Sequence, residues 1–317
     1  MHALLLDQEL GLVEDYPTPQ IPPGEALIRV KLAGVCNTDL ELVKGYMQFQ
    51  GIPGHEFVGM VERAPGAEEW QGRRVVGDIN AACGKCPTCR AGRPTHCPHR
   101  TTLGIAGRDG AFAEYLTLPT RNLLPVPASL PDEIAVFTEP LAAACEILQQ
   151  VHVRPTDRVV VLGDGKLGLL CAQTLALTGC DLTVVGHHRE KLDLLARRGI
   201  PTALDDASVE PGADLIVEAT GQPGGYAAAR RLVRPRGTIV LKSTYHGSLE
   251  TNLTIVVVDE VTLVGSRCGP FAPALRLLER GLVDVIPLIQ ARYPLNQALA
   301  AFEHAARPGT LKVLVEM

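Results

Sequence analysis

Four cysteines lie close together in this 317-residue sequence, at a spacing that suits a metal ion. They follow the pattern C-x2-C-x2-C-x7-C and comprise Cys83, Cys86, Cys89 and Cys97. Four thiolates at this spacing can close a tetrahedron around Zn²⁺ with no open position, so we predict a structural zinc lobe over residues 83–97. An iron–sulfur cluster is the competing interpretation. A disulfide framework is disfavoured because such frameworks are typical of short, secreted chains.

A second group of potential metal ligands is dispersed along the chain: Cys36, His55 with its neighbour Glu56, and Glu139. One thiolate, one imidazole and one carboxylate can form a three-ligand zinc site whose fourth position is open to water or substrate. Each residue also has an explanation without metal: Cys36 as a small buried apolar residue and His55 as a structural histidine. The residues alone leave both interpretations open.

A glycine-rich turn with the pattern G-x-G-x-x-G is formed by Gly163, Gly165, Lys166, Leu167 and Gly168. The turn follows a short apolar strand pattern and opens a helical pattern, which is the context in which this motif binds a dinucleotide. The first glycine permits the tight turn, the second lets the backbone approach a pyrophosphate, and the third lets helix and strand pack closely. The start of the helix supplies free N–H groups to the phosphates.

The end of the next predicted strand bears on which nicotinamide dinucleotide binds. An acidic residue there would bind the adenosine ribose hydroxyls and repel a 2′-phosphate. This sequence instead has Gly186, followed by His187, His188 and Arg189. These residues offer hydrogen-bond donors to a phosphate, so the sequence favours NADP(H) over NAD(H).

The elements that must position these residues change in type along the chain. Up to about residue 130 the sequence has frequent Gly and Pro and short β-like runs, including residues 25–31 and 57–62. Strands then alternate with helices, which favours an α/β fold with a parallel sheet. We predict helices over 140–151, 166–178, 189–198 and 274–280, and strands over 158–162, 182–185, 215–218, 238–241 and 311–315.

The order of all these features resembles the zinc-containing medium-chain dehydrogenase/reductase family of alcohol, polyol and sugar dehydrogenases. The resemblance rests on the run Gly34–Asp39, the triplet Gly54-His55-Glu56, the four-cysteine lobe, Glu139-Pro140 and the glycine-rich turn. It implies a GroES-like, β-rich catalytic domain over residues 1–135 and 270–317. A Rossmann domain with a doubly wound parallel sheet would occupy residues 136–269.

The same resemblance implies roles for individual residues of the catalytic domain. Cys36, His55 and Glu139 would hold a catalytic zinc ion, with Glu56 as an alternate ligand. That gives two zinc ions per chain, one catalytic and one structural. Thr38 would hydrogen-bond the substrate oxygen and take its proton, and Asp39 would orient the ligand histidine.

Four further residues are candidates for proton transfer or cofactor binding: Glu41, Thr220, Gly221 and Arg267. Many family members carry histidine two residues after Asp39, where this chain has Glu41. Glu41 is either the end of a proton relay or a solvent-facing helix residue. In the nucleotide domain, Thr220-Gly221 would line the cofactor, and Arg267 could reach it.

Composition and sequence pattern argue against nucleic-acid binding, a membrane span and secretion. The net charge is −5, from 30 basic and 35 acidic residues, and no long basic run supports nucleic-acid binding. No run of apolar residues is long enough for a membrane span. The N-terminal residues lack the pattern of a secretory signal, so we expect a cytoplasmic protein. Family members are mostly dimers or tetramers, so we expect a homodimer or homotetramer.

We therefore predict a zinc-dependent oxidoreductase that transfers hydride between an alcohol, polyol or sugar and a nicotinamide cofactor. One alternative is a non-redox lyase or cyclase that uses the same zinc and nucleotide scaffold. The other is a binding protein that keeps the fold and the structural zinc without performing chemistry.

Overall fold

The computed structural model describes residues 1–244 and 251–317 of the chain. The chain divides into two compact units, Met1–Glu139 together with Phe271–Met317, and Pro140–Pro270. Throughout the described ranges, every helix is too short or too polar to cross a bilayer.

The N-terminal part of the first unit consists mainly of strands. These are β1 (Ala3–Leu6), β2 (Leu10–Val13), β3 (Glu25–Gly34), β4 (Glu56–Arg63), β5 (Arg74–Gly77), β6 (Asn80–Ala81), β7 (Thr101–Thr102), β8 (Tyr115–Pro119) and β9 (Leu123–Pro125). Three short helices interrupt them: α1 (Asn37–Val43), α2 (Pro87–Arg90) and α3 (Asp132–Ala135).

The second unit alternates helices with strands. Its helices are α4 (Thr138–Gln150, which starts on the last two residues of the first unit), α5 (Lys166–Ala176), α6 (Arg189–Ala196), α7 (Gly224–Leu232) and α8 (Leu253–Val258). Its strands are β10 (Arg158–Leu162), β11 (Asp181–Val185), β12 (Thr202–Ala203), β13 (Ala213–Glu218), β14 (Val233–Leu241) and β15 (Thr262–Gly265).

The C-terminal segment returns to the first unit. It contains α9 (Phe271–Glu279), β16 (Ile289–Pro294), α10 (Ala298–Ala305) and β17 (Lys312–Glu316). Strand β17 pairs antiparallel with β3, with Leu314 opposite Gly34. The last strand of the chain therefore lies beside the strand that leads into Cys36.

A seven-stranded sheet forms the centre of the first unit, in the order β16-β17-β3-β4-β5-β9 with β8 also paired to β3. Strand β3 shows the period-two pattern of a sheet with one buried face, since Ile28 and Val30 are buried while Arg29 and Lys31 are exposed. Strand β4 pairs with β3 and places Glu56 opposite Gly34. The register of β17, β3 and β4 thus brings three distant parts of the chain to one point.

The second unit contains a six-stranded parallel sheet in the order β12-β11-β10-β13-β14-β15. Strand β10 reads Arg-Val-Val-Val-Leu, and its last four residues are all buried, as expected for a parallel strand covered on both faces. Helix α5 packs on β10 and β11, and α7 packs on β13 and β14. The predicted fold class, a parallel α/β sheet beside a β-rich unit, is confirmed.

Most predicted elements lie within a few residues of the observed ones, but the predicted starts of α4 and β14 were wrong. Helix α4 begins at Thr138 and not at the predicted Pro140. Proline is tolerated in the first turn because that turn has no N–H partners to lose. Strand β14 begins at Val233, five residues before the predicted Thr238, although it contains the strand-breaking residues Pro235 and Gly237.

Candidate metal centres and the nucleotide-binding turn

The four cysteines of the predicted lobe converge in the structure. Cys86 Sγ lies 3.5 Å from Cys89 Sγ and 3.7 Å from Cys97 Sγ. Cys83 Sγ lies 3.5 Å from Cys97 Sγ and 4.0 Å from Cys89 Sγ. Zinc–thiolate bonds of about 2.3 Å in a tetrahedron require sulfur atoms about 3.8 Å apart. The observed separations match that requirement, so these residues fit a four-coordinate zinc ion.

The backbone around the lobe prepares one thiol to ionise. The N–H groups of Lys85 and Cys86 point at Cys83 and lower the pKa of its thiol to about 6. Burial and hydrogen bonds to neighbouring sulfurs raise the pKa of Cys89 to about 12. The lobe has little core of its own, since its buried apolar cluster consists of Ala82 and the cysteines themselves. A bound ion would therefore supply much of the cohesion here.

Three of the predicted catalytic ligands form a second group. Cys36, His55 and Glu56 each place a potential ligand atom within 4.8 Å of those of the other two. Cys36 precedes α1, and Glu56 is the first residue of β4. His55 and Glu56 are almost fully buried. The cluster thus combines a soft thiolate with an imidazole and a carboxylate, a donor set typical of zinc.

Asp39 contacts this group through both of its carboxylate oxygens. Its Oδ2 accepts a hydrogen bond from Cys36 N at 2.8 Å, and its Oδ1 accepts one from Gly54 N at 3.2 Å. Oδ1 also lies 3.2 Å from His55 Nδ1. Because Nδ1 faces Asp39, Nε2 is the nitrogen available to a metal. Burial alone would lower the pKa of His55, but Asp39 and Cys36 raise it well above its usual range.

Glu56 is held by a buried partner that the sequence did not reveal. Lys312, the first residue of β17, forms an ion pair with Glu56 Oε2, and both side chains are about 1% exposed. Glu56 Oε1 is also buried and has no hydrogen-bond partner among the described residues. An orphaned carboxylate oxygen beside a thiol and an imidazole is what a metal site requires. Burial alone would lower the pKa of Lys312, but Glu56, Cys36 and Asp39 raise it.

Glu139 lies in the same surroundings but outside the closest group. Burial raises the pKa of its carboxyl to about 7; His55 and Lys312 oppose the rise, and Glu56 and Asp78 add to it. Its oxygens are not among those that all lie within 4.8 Å of one another. The structure therefore brings Cys36, His55 and Glu56 together and leaves Glu139 as a nearby carboxyl.

The two predicted proton-transfer residues lie on α1. Thr38 Oγ1 accepts a long hydrogen bond from Cys36 Sγ, at 3.8 Å, which places its hydroxyl beside a predicted ligand. Glu41 is one helical turn further on and pairs with the exposed Lys44, with Nζ and Oε1 2.8 Å apart. Glu41 is thus tied to a solvent-exposed cation.

The glycine-rich turn has the backbone that its sequence predicts. Gly163 has φ of 116°, and a Cβ there would lie 2.5 Å from Ala219 O, so both conformation and space require glycine. Gly165 is the N-cap of α5, and a Cβ at Gly165 would meet no described atom within 4 Å. Lys166 and Leu167 form the first turn of α5. The open approach to the helix start fits a bound pyrophosphate.

The end of β11 differs from the sequence expectation in one respect. Asp164, inside the glycine-rich turn, directs its carboxylate to this strand end. Its Oδ2 accepts hydrogen bonds from His187 N and His188 N, both at 2.7 Å. Burial alone would raise the pKa of Asp164, but these donors and Lys191 hold it below its usual value. The sequence has no acidic residue at positions 186–189, but the structure places the Asp164 carboxylate at this strand end.

The remaining predicted cofactor residues lie in loops of the second unit. Thr220 N and Oγ1 donate to Glu218 Oε1 at 2.8 and 2.6 Å. Gly221 has φ of 68° and donates its N–H to Ser243 Oγ at 2.8 Å. Arg267 follows β15 and donates to Cys268 Sγ at 3.2 Å. Their role in binding a cofactor stays a prediction.

Sequence reasoning missed two residues of these sites, Lys312 and Asp164. Lys312 is 256 residues from Glu56, and only the pairing of β17, β3 and β4 brings them together. Asp164 occupies a variable position of the glycine motif, where the motif itself makes no demand on the side chain.

Comparisons with known proteins show to which family the chain belongs. Two family models match the chain: Alcohol dehydrogenase GroES-like domain over residues 22–128, and Zinc-binding dehydrogenase over residues 167–280. The L-threonine 3-dehydrogenase of Rhizobium etli is 34% identical over an alignment 240 residues long, which covers 71% of this chain and 68% of that protein. The sorbitol dehydrogenase of Halalkalibacterium halodurans is 29% identical over 326 residues, covering 96% of this chain and 94% of that protein. The structure of a Sinorhizobium meliloti zinc-binding dehydrogenase bound to NADP has a TM-score of 0.90 at 27% identity and covers 100% of this chain and 99% of that one.

The cysteine lobe predicts a stability effect that depends on metal. We expect Cys86→Ser to lower zinc content by about one ion per chain and the free energy of unfolding by more than about 4 kcal/mol, because loss of a structural metal is among the largest single-site effects. Metal analysis and urea unfolding measure both quantities. Cys180→Ser is the control, with a change of less than about 1 kcal/mol. Equal zinc content in Cys86→Ser and the wild type would contradict the assignment.

The buried pair of Glu56 and Lys312 predicts a different effect. Lys312→Met leaves the Glu56 carboxylate buried without its partner, so we expect a loss of about 3–5 kcal/mol in unfolding free energy. The double variant Glu56→Gln/Lys312→Met removes both charges and should regain most of that loss. Lys44→Met breaks the exposed pair with Glu41 and should cost less than about 1 kcal/mol. Similar losses in the two lysine variants would show that the buried pair has no special importance.

The raised pKa of Glu139 predicts a pH effect in chelator-treated, metal-free protein. Between the usual carboxyl pKa and about 7, the folded state binds more protons at Glu139 than the unfolded state does. Its contribution to stability therefore falls as pH rises through this window. We expect Glu139→Gln to lose less stability than the wild type between pH 5 and 7.5, measured by urea unfolding at both values. Parallel pH dependence in the two proteins is the contrary result.

Proposed function

This chain belongs to the zinc-containing medium-chain dehydrogenase/reductase family, and we propose that it oxidises a hydroxyl group of a polyol or sugar, or a simple alcohol, with a nicotinamide dinucleotide as hydride acceptor. The observation that carries the proposal is the group formed by Cys36, His55 and Glu56, with its orphaned buried oxygen Glu56 Oε1. The glycine-rich turn of the second unit provides the second requirement, a place for a dinucleotide.

The proposed reaction needs two bound groups. Zinc supplies a Lewis acid that lowers the pKa of a hydroxyl group, and the nicotinamide supplies a hydride acceptor. Cys36, His55 and a carboxylate from Glu56 or Glu139 would hold the metal. The four cysteines of the lobe would hold a second, structural ion, giving two per chain.

The chain's own residues manage the proton. Thr38 Oγ1, 3.8 Å from Cys36 Sγ, is placed to accept a proton from a hydroxyl group bound beside that thiol. Glu41 lies on the next turn of α1 and is paired with Lys44 at the surface. We propose that the proton leaves toward solvent along this helix, with Glu41 as its final acceptor. Asp39 Oδ1, 3.2 Å from His55 Nδ1, would leave Nε2 as the nitrogen that holds the metal.

Two groups of residues at the end of β11 have opposite effects on the choice between NADP(H) and NAD(H). His187, His188 and Arg189 favour the 2′-phosphate of NADP, as the sequence predicts, and one structural neighbour is bound to NADP. The carboxylate of Asp164 lies at the same strand end and opposes a phosphate. The donors that favour NADP are therefore opposed by a carboxylate at the same strand end.

Two general proposals complete the description. Strand β15 is the edge of the six-stranded sheet, and the neighbouring α8 leaves Val257 and Val258 about 73% and 74% exposed. An edge strand beside exposed apolar side chains supports self-association, and we propose a homodimer or homotetramer.

All nine cysteines are free thiols, which supports the proposed cytoplasmic location. The non-redox alternative has no support, since the relatives compared are dehydrogenases.

The proposed activity is tested with a panel of alcohols, polyols and sugars, each assayed with both dinucleotides at the nicotinamide absorbance band. We expect reduction of the dinucleotide with at least one polyol or sugar. Cys36→Ser should lower kcat/KM by about 10³-fold or more, because the metal contributes several kcal/mol to transition-state stabilisation. Dinucleotide binding by Cys36→Ser should stay close to that of the wild type.

Cys145→Ser, at a buried cysteine of the second unit, is the matched control and should retain activity. A fully active Cys36→Ser enzyme would show that the metal assignment is wrong. Turnover without any change at the nicotinamide band would support the lyase alternative instead.

A further inference from the structure

Asp164 forms a charged cluster at the end of β11 that the proposed function does not require. Its carboxylate accepts from His187 N and His188 N at 2.7 Å through Oδ2. The His188 ring lies close to both oxygens, with Nδ1 3.0 Å from Oδ2 and 3.2 Å from Oδ1. Lys191 Nζ is 3.9 Å from Oδ1, and the side chains of Asp164 and Lys191 are about 10% and 7% exposed. A carboxylate is therefore fixed at this strand end.

Glycine at position 186 is a geometric condition for this arrangement. A Cβ on Gly186 would lie 2.5 Å from both Asp164 Cβ and Asp164 Oδ2. Any side chain at position 186 would thus overlap the one that Asp164 places there. An acidic side chain at position 186 and the Asp164 side chain cannot occupy this space together. The carboxylate at this strand end therefore comes from the glycine-rich turn and not from the strand itself.

In dinucleotide-binding sheets of this kind, the adenosine ribose lies at the end of the second strand. A carboxylate there accepts a hydrogen bond from the 2′-hydroxyl and repels a 2′-phosphate. From the position of Asp164 we infer that it takes the place of the strand-end acid and selects dinucleotides without a 2′-phosphate, that is NAD(H) over NADP(H). This inference rests on the proposed function, because it needs a dinucleotide on the glycine-rich turn.

The neighbouring cations do not cancel this effect. Lys191 is as buried as Asp164, but its Nζ lies 3.9 Å from Oδ1, beyond hydrogen-bond distance, so it offsets only part of the carboxylate's charge. The backbone N–H groups of His187 and His188 are the fixed donors at this strand end, and Asp164 already occupies both. The side chains of His187 and Arg189 are exposed, so their attraction for a phosphate is screened by solvent and costs side-chain entropy. The Asp164 carboxylate is mostly buried and acts in a medium of lower effective dielectric constant. Repulsion by the carboxylate therefore outweighs attraction by the exposed cations.

The test measures binding and does not depend on turnover. Calorimetry at pH 8, where a phosphate monoester is a dianion, gives Kd for NADH and NADPH, and for ADP-ribose and 2′-phospho-ADP-ribose, with zinc-replete protein. We expect the wild type to bind each unphosphorylated form at least about tenfold more tightly. Asp164→Asn keeps an amide oxygen for the two N–H groups but removes the charge, and it should lower this ratio by at least about tenfold.

Two further variants control the result. Asp193→Asn removes the same charge from an exposed position on α6 and should change the ratio by less than about twofold. Asp164→Gly/Gly186→Asp returns the acid to the strand end and should restore the preference that Asp164→Asn loses. If Asp164→Asn does not fold, the wild-type ratio and the double variant decide the question.

Each contrary outcome has a distinct meaning. Equal or tighter binding of the phosphorylated forms by the wild type overturns the role of Asp164 and leaves the proposed dehydrogenase function intact. A ratio that moves equally in Asp164→Asn and Asp193→Asn overturns it as well. Failure of the wild type to bind either dinucleotide overturns the proposed function, and this inference with it.

Discussion

A concentration of buried acidic groups is the constraint on which the first unit depends. Asp39 and Glu56 are almost completely buried, and the Cys36 thiol and the Glu139 carboxyl lie beside them. Lys312 pairs with Glu56, and His55, whose pKa lies well above its usual range despite burial, faces Asp39. Burial raises the pKa of Glu139 to about 7, so a further buried carboxylate here is unfavourable unless another cation enters. A divalent metal ion held by Cys36, His55 and Glu56 would supply that cation, and three protein ligands would leave one coordination position open.

The sheet register explains how such distant residues meet. Gly34 lies opposite Glu56 on one side and Leu314 on the other, so β3 is the strand between the acid and the strand that carries Lys312. A Cβ on Gly34 would overlap Glu56 Oε2 and come within 3.3 Å of Lys312 Cδ. The missing side chain at Gly34 therefore makes room for the ion pair. The second unit uses the same device, since Gly186 leaves the space that Asp164 fills.

Local pattern was sufficient to predict most of the fold and the four-cysteine lobe, whereas the roles of Cys36, His55 and Glu56 came from the resemblance to a family. The alternation of strands and helices after residue 130, the spacing of the four cysteines and the glycine-rich turn each have a short-range physical cause that can be recognised in sequence. Lys312 could not be found in this way, because its role depends on the pairing of strands from opposite ends of the chain. Asp164 was visible, but the direction of its side chain was not, and that direction changed the argument about the cofactor. The start of α4 was predicted two residues late, at Pro140, because the apolar spacing begins after it, although the first turn of a helix accepts proline.

The central claim is that an open metal site exists at Cys36, His55 and Glu56, separate from the closed cysteine lobe. Anomalous diffraction at the zinc absorption edge, on crystals of the purified protein, tests it most directly. The account predicts two peaks per chain, one among the four lobe cysteines and one within bonding distance, about 2.0–2.3 Å, of Cys36 Sγ and His55 Nε2. A single peak in the lobe, with none beside Cys36 in protein purified with excess zinc, would contradict it.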